Sequence, residues 1–450
     1  MRTYGSPIVR RAFAVALFLR AGGIAIAASG DLPAKLEGHG GPIKAISVSA
    51  DGKRVLTASF DYSIIYWDIS KPKGRIVSRL IGHESAVNDV AFVPGSDRAV
   101  SVSDDGTLGI WDLEKGALVK RIPAPRSKVL DIDVSADGRL AAVARWDHTA
   151  RIYDLFRAEE VAVLSGHRGP VNSVVFSADA SRLYSASYDG TILEWDVAKG
   201  ERLRPIYRHG WGINTLALID KDRLLFGAVD GTVGIAGISA ADKIADLAKR
   251  DRPIQRVKLS HDGALMAYGD GSGHIGVFLA SSGTLVEESD VTFGPIWDFD
   301  FVPDTYQMFH VGLDDFVARW QIAPRKFAAI KSKYPRRFQV RDATDAGELE
   351  FQRKCSVCHT LTPDDGNRAG PTLYKLFGRR AGTLKGYQYS KALIDSDIVW
   401  SEETIGRLFD HGPDKVLPGT KMPLQRLKSV TRRDALIDFL KRATKPKAEE

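Results

Sequence analysis

Leu183-Tyr184-Ser185-Ala186-Ser187-Tyr188-Asp189-Gly190-Thr191-Ile192-Leu193-Glu194-Trp195-Asp196 decides the fold of most of this 450-residue chain. Two short β-rich runs, Leu183 to Ser187 and Thr191 to Trp195, flank Asp189-Gly190, a strong hairpin signal. Val171-Asn172-Ser173-Val174-Val175-Phe176 upstream reads as another strand of the same unit. The unit recurs. Trp67-Asp68, Trp111-Asp112, Tyr153-Asp154 and Trp195-Asp196 are spaced 44, 42 and 42 residues apart, and weaker equivalents follow at Ala236, Phe278 and Trp320, spaced 41, 42 and 42. Gly38-His39, Gly82-His83 and Gly166-His167 open three units, and His209 sits 42 residues beyond His167. Six units carry an Asp six residues before the Trp position: Asp61, Asp105, Asp147, Asp189, Asp230 and Asp314. In the sixth, Asp270 stands eight residues before Phe278, which predicts a turn two residues longer there. A fixed period of this length denotes repeats that must stack to bury a core, and the count of units is seven.

These repeats resemble WD-repeat propellers over residues 31–322. The resemblance implies a seven-bladed all-β ring in which the Asp, the His of Gly-His, a strand Ser or Thr and the Trp form a buried network within each blade. Such a network satisfies polar groups that would otherwise be costly to bury, so these His and Asp residues are read as scaffold and not as metal ligands. The last unit supplies only three strands before Pro324, and Leu32 to Leu36 is the expected fourth, closing the ring.

Composition agrees with more than one core. The chain is 44% hydrophobic and 26% charged, which excludes a disordered chain, a collagen, a coiled coil and a polytopic membrane protein. The net charge of +7 is unevenly placed: residues 28–322 carry −7, residues 323–342 carry +6 and residues 343–450 carry +4. A uniformly basic nucleic-acid binder would not divide this way; polar docking surfaces would. Arg10 and Arg11 precede an apolar run from Ala12 to Leu19, and Ala25-Ile26-Ala27 offers a cleavage site, so residues 1–27 read as a signal peptide and the protein as periplasmic. An uncleaved weak anchor and a twin-arginine signal are the other readings of the same segment. Residues 323–342, with seven basic residues and one acid, read as a solvated linker against the acidic ring, or as a patch for an anionic partner.

The only two cysteines, Cys355 and Cys358, are three apart, which excludes a disulfide framework. Cys355-Ser356-Val357-Cys358-His359 is the Cys-x-x-Cys-His pattern of covalent c-type haem attachment: two thiols on one helical turn reach the two vinyl positions, and the next residue points an imidazole at the iron.

The surrounding residues 343–450 resemble class I cytochromes c, through Gly347 and Phe351 before the motif, Gly370-Pro371-Thr372-Leu373, Gly378-Arg379-Arg380-Ala381-Gly382, Gly386-Tyr387-Gln388-Tyr389-Ser390, Trp400, Pro418-Gly419-Thr420-Lys421-Met422 and Ala435 to Leu440. The resemblance implies an all-α domain with one covalent haem c. In it Gly347 and Phe351 cross against Leu436 and Phe439, the Pro371 carbonyl accepts the His359 N–H, and Arg379, Tyr389 and Trp400 face a propionate. His359 and Met422 would ligate the iron, with His411 as a rival on an expected surface turn. Tyr387 is read as packing. Two departures dry the distal pocket: Leu393 replaces a frequent Asn, and Leu408 or Phe409 replaces an aromatic hydroxyl.

A haem ligated on both sides has no open site for a substrate, so the resemblance implies single-electron transfer, with the propeller as a docking scaffold. Lys385, Lys415, Lys421, Arg426 and Lys428 would form a cationic rim for redox protein partners with acidic surfaces. An oxidoreductase with a substrate site in the propeller channel, and a haem-based sensor or assembly protein, are the alternatives. No second catalytic site, nucleic-acid partner or integral membrane span is expected.

Overall fold

The computed structural model describes residues 32–123, 127–322 and 345–445, apart from residues 357, 362–369, 386, 388, 419, 421 and 423–425. Seven four-stranded antiparallel sheets account for the first part. In the fourth, Val171–Phe176, Arg182–Ser187, Thr191–Asp196 and Glu201–Arg208 form a meander, with Ser185 opposite Leu193. The second and third strands of a blade are buried on both faces, as in Arg182–Ser187 and Thr191–Asp196, because each sheet is sandwiched between its neighbours. The outer strands alternate and expose side chains, as in Glu201–Arg208.

The blade network is present in several copies. His39 Nδ1 lies 3.0 Å from Asp61, its Nε2 lies 2.7 Å from the Thr57 hydroxyl, and Trp67 Nε1 donates to the same hydroxyl at 2.9 Å. His83, Asp105, Ser101 and Trp111 repeat this, as do His167, Asp189, Ser185 and Trp195. Burial alone would raise the Asp61 carboxyl, but His39 and the hydrogen bonds from His39, Ser63 and Gly40 hold it well below the usual carboxylate range. The third blade substitutes Arg145, whose Nε donates to Asp147 and whose Nη1 reaches the Gly106 carbonyl of the previous blade. In the seventh, Trp320 Nε1 is buried without a partner among the described residues, because His310 stands where other blades place the accepting Ser or Thr.

One expectation is corrected. The turn of the sixth unit is not longer: Gly269 pairs with Ile275 with the same offset as Ala58 with Ile64. Ser272 stands at the turn-Asp position, and Asp270 has moved to the site that is Ser59 in the first blade. The closing strand expected at Leu32 to Leu36 is present, with its bounds shifted to Lys35–Glu37; Leu36 pairs with Val317, and Leu32 packs beside it without joining the ladder.

Inner strands are stitched from blade to blade by side chains that accept from the next strand's backbone: Asp298 from Ile46 N, Asp131 from Val174 N, Ser173 from Leu216 N and Thr215 from Val257 N. Arg256 crosses the ring axis. Its Nη2 is 2.9 Å from Asp89, its Nη1 is 2.5 Å from Asp131 and its Nε is 3.0 Å from Asp298, so one guanidinium joins the sixth blade to the second, third and seventh. Burial raises Asp89, and Arg256 opposes the rise.

The remaining described residues form five helices: α1 (Ala346–Lys354), α2 (Lys391–Ile394), α3 (Glu402–His411), α4 (Pro413–Val416) and α5 (Val430–Ala443). Asp345 caps α1 by accepting from Gly347 N and Glu348 N, and Ser401 and Thr404 form a reciprocal capping box on α3. Helices α1 and α5 cross at Gly347, where an added Cβ would lie 1.9 Å from the Ala435 carbonyl oxygen. The Phe351 and Phe439 rings meet 5.6 Å apart beside the crossing. No helix among the described residues is long and apolar enough to cross a membrane. Residues 1–27 and 323–342, read above as signal peptide and linker, lie outside the described residues.

Candidate functional site

Helix α1 ends at Cys355, whose N–H donates to Phe351 O, and the chain stays wound for one more turn: Cys358 N and His359 N both donate to Cys355 O, at 3.0 and 2.8 Å. This winding puts both thiols and the imidazole on one side of the helix end. His359 Nδ1 lies 2.8 Å from the Pro371 carbonyl oxygen, which fixes the ring and turns Nε2 to the other side. Gly370 makes the approach possible, since a Cβ there would lie 2.3 Å from His359 Cε1.

These groups border one cavity. Its walls bring together every site residue expected from the sequence: Cys355, Cys358, His359, Pro371, Arg379, Tyr389, Trp400 and Met422. Much of the rest is apolar, with Leu373, Leu376, Leu393, Ile405, Leu408 and Phe409. Met422 and His359 are contributed by segments far apart in the chain, yet both face this space. His411 is exposed at the end of α3 and does not line it.

A short backbone ladder aligns the polar wall. Gly378 N donates to Trp400 O, Trp400 N to Arg379 O and Ala381 N to Ile398 O, which sets Arg379 beside Trp400. Arg379 is anchored by its Nη groups on the Tyr374 and Thr372 carbonyls, at 3.0 and 2.8 Å. Burial lowers the Arg379 pKa, with the Tyr389 charge opposing. Tyr387 and Tyr389 meet edge to face, 4.8 Å apart, and burial raises both phenols.

Burial first, and Cys358 second, push the Cys355 thiol up to about 12. No set of three or more His, Cys, Asp or Glu among the described residues is arranged to hold a metal ion. An imidazole, a thioether and two thiols around a large apolar slot fit an iron whose remaining ligands come with a macrocycle.

Sequence reasoning missed Leu376, Ile405 and Leu417 in the wall, and one residue from outside the helical part. Tyr62, from the second-to-third strand turn of the first blade, lines the same cavity. The signal lay in its position: it follows the turn Asp where Gly106, Gly190 and Gly231 follow theirs.

Comparison with known proteins agrees with both halves. The WD domain, G-beta repeat family model matches residues 30–68, 74–112, 116–154 and 158–196, the first four of the seven repeat units. Cytochrome c of Cochliobolus lunatus is 40% identical over 108 residues, 24% of this chain and 98% of the relative. The chain belongs to the cytochrome c family. Cytochrome c of Sesamum indicum is 44% identical over 101 residues, 22% of this chain and 88% of the relative. Cytochrome c of Arabidopsis thaliana is 38% identical over 112 residues, 24% of this chain and 99% of the relative. The cytochrome c kinship implies an α domain and covalently bound haem c.

Proposed function

We propose that this protein is an exported, periplasmic electron carrier with one haem, ligated by His359 and Met422 in a class I cytochrome c domain over residues 343–450. The propeller of residues 28–322 is its partner-docking scaffold, and residues 323–342 are the linker between them. The observation that carries the reading is the convergence of His359, locked on the Pro371 carbonyl, and Met422 on one apolar cavity beside both cysteines. The bound haem supplies one-electron chemistry and no open coordination position. Cys355 and Cys358 hold it, the leucines and Phe409 keep water from it, and Arg379, Tyr389 and Trp400 meet its charged edge. Residues 1–27 direct export and are removed.

Lys385, Lys415, Arg426 and Lys428 are all exposed, as a cationic docking rim for acidic redox proteins requires; Lys421 lies outside the described residues. Arg256 spanning the ring axis favours the scaffold reading over a substrate site in the channel.

The test is the ferric spectrum of the purified protein. The weak near-infrared band of thioether ligation is expected in the unaltered protein and absent in Met422→Ala, which gains carbon monoxide binding when reduced. Carbon monoxide binding by the unaltered reduced protein would overturn the ligation and favour a sensor. Fractionation of expressing cells tests export, and capture of redox proteins at low but not high salt tests docking.

A further inference from the structure

Tyr62 occupies a backbone conformation that penalises it. Its φ of +68° lies in the left-handed region, where the matching Gly106, Gly190 and Gly231 adopt 85°, 81° and 84° at no steric cost. The turn is held firmly by its neighbours: Asp61 accepts from Gly40 N at 2.8 Å and from Ser63 N at 2.9 Å, and Tyr62 N donates to Ser59 O at 3.2 Å. A rigid, strained turn therefore projects a phenol from the edge of the ring. His148, at the same turn position of the third blade, adopts 71° and is exposed, so what singles out Tyr62 is where its ring goes.

Tyr62 shares the cavity wall with Cys358, His359 and Tyr387, and burial, followed by Cys358 and Tyr387, raises its phenol. Aromatics at the same end of other blades are different: Trp146 and Tyr188 are 56% and 61% exposed.

We infer that Tyr62 is the propeller's own contribution to the haem site, a positioning residue that seats the first blade on the Cys358–Tyr387 side of the cytochrome part and shields the cofactor edge from water. The inference rests on the haem reading above. It makes the docking scaffold and the redox site one unit, joined by a side chain as well as by residues 323–342.

The full-length holoprotein tests this with Tyr62→Gly, which suits the turn, and Tyr62→Phe, which keeps the ring. Circular dichroism should show the propeller intact in both; Tyr62→Asn, also tolerant of positive φ, stands in if Tyr62→Gly does not fold. Tyr62→Gly should shift the midpoint potential downward, because water at the cofactor edge favours the more charged ferric state. It should also speed tryptic cleavage within residues 323–342 severalfold, while Tyr62→Phe stays near the unaltered protein in both respects. A haem-bearing Tyr62→Gly protein with unchanged potential and unchanged cleavage overturns the inference and leaves the haem reading standing. A protein without covalent haem sinks that reading, and cleavage alone then decides whether Tyr62 seats the two parts.

Discussion

Gly347 and the Ala435 carbonyl share a space that admits no side chain: an added Cβ would lie 1.9 Å from that oxygen and 2.7 Å from Phe439 Cβ. The obstruction on the first side is backbone, so α1 and α5 must move apart to relieve it. Gly347→Ala should destabilise the cytochrome part by about 1–3 kcal/mol through overpacking. Chemical denaturation followed by haem absorbance measures this, with the β-sheet signal of the propeller as the internal control.

Arg256 should be the most sensitive position in the ring. Arg256→Met leaves Asp89, Asp131 and Asp298 buried without their guanidinium, a loss of about 3–5 kcal/mol. Unpaired carboxyls take up protons more readily in the folded state than in the unfolded one. The deficit relative to the unaltered protein should therefore be largest at neutral pH and narrow as pH falls. Urea titrations at two pH values test both the size and the sign.

Burial lowers the His310 pKa from 6.5 to about 4. Between those values the unfolded chain binds a proton that the folded chain refuses, so His310 lowers stability as pH falls from 6.5 towards 4. His310→Ser should flatten this part of the stability profile, and it offers Trp320 Nε1 the acceptor that Ser101 and Ser185 give their tryptophans. Thermal melts across that window measure the slope.

At the haem site, Gly370→Ala would drive a methyl group into His359, whose Cε1 lies 2.3 Å from the added Cβ. The imidazole must leave its place on the Pro371 carbonyl, and a misaligned ligand competes less well with its own protonation. Acid titration of the haem spectrum should show His359 released at a higher pH than in the unaltered protein, with the haem still attached.

Features that repeat or that lie close in sequence were legible before the structure. The tryptophans declare the blades because the first, second and fourth units repeat one hydrogen-bonded set of Asp, His, hydroxyl and indole at fixed spacing. His359 and Met422, the proposed haem ligands, could be picked out because each sits in a local motif with its own spacing, and both line the cavity. Asp270 misled because spacing alone cannot separate a longer turn from an exchange of polar residues between adjacent positions. Arg256 gave no warning, since its partners Asp89 and Asp131 lie 167 and 125 residues away and only ring closure brings them to one axis. Tyr62 drew no reading from the sequence, because only the cavity shows where its ring lies.

The pairing of Leu36 with Val317 orders events during synthesis. The outermost strand of the seventh sheet, Lys35–Glu37, is made first and has no partner until the chain has grown past Gln321, so a nascent product stays an open arc with its first strand waiting. Cys355 emerges only after the partner of that strand exists. Sealing the ring can thus precede cofactor attachment, and a chain cut short between the two would carry a complete propeller with no pigment.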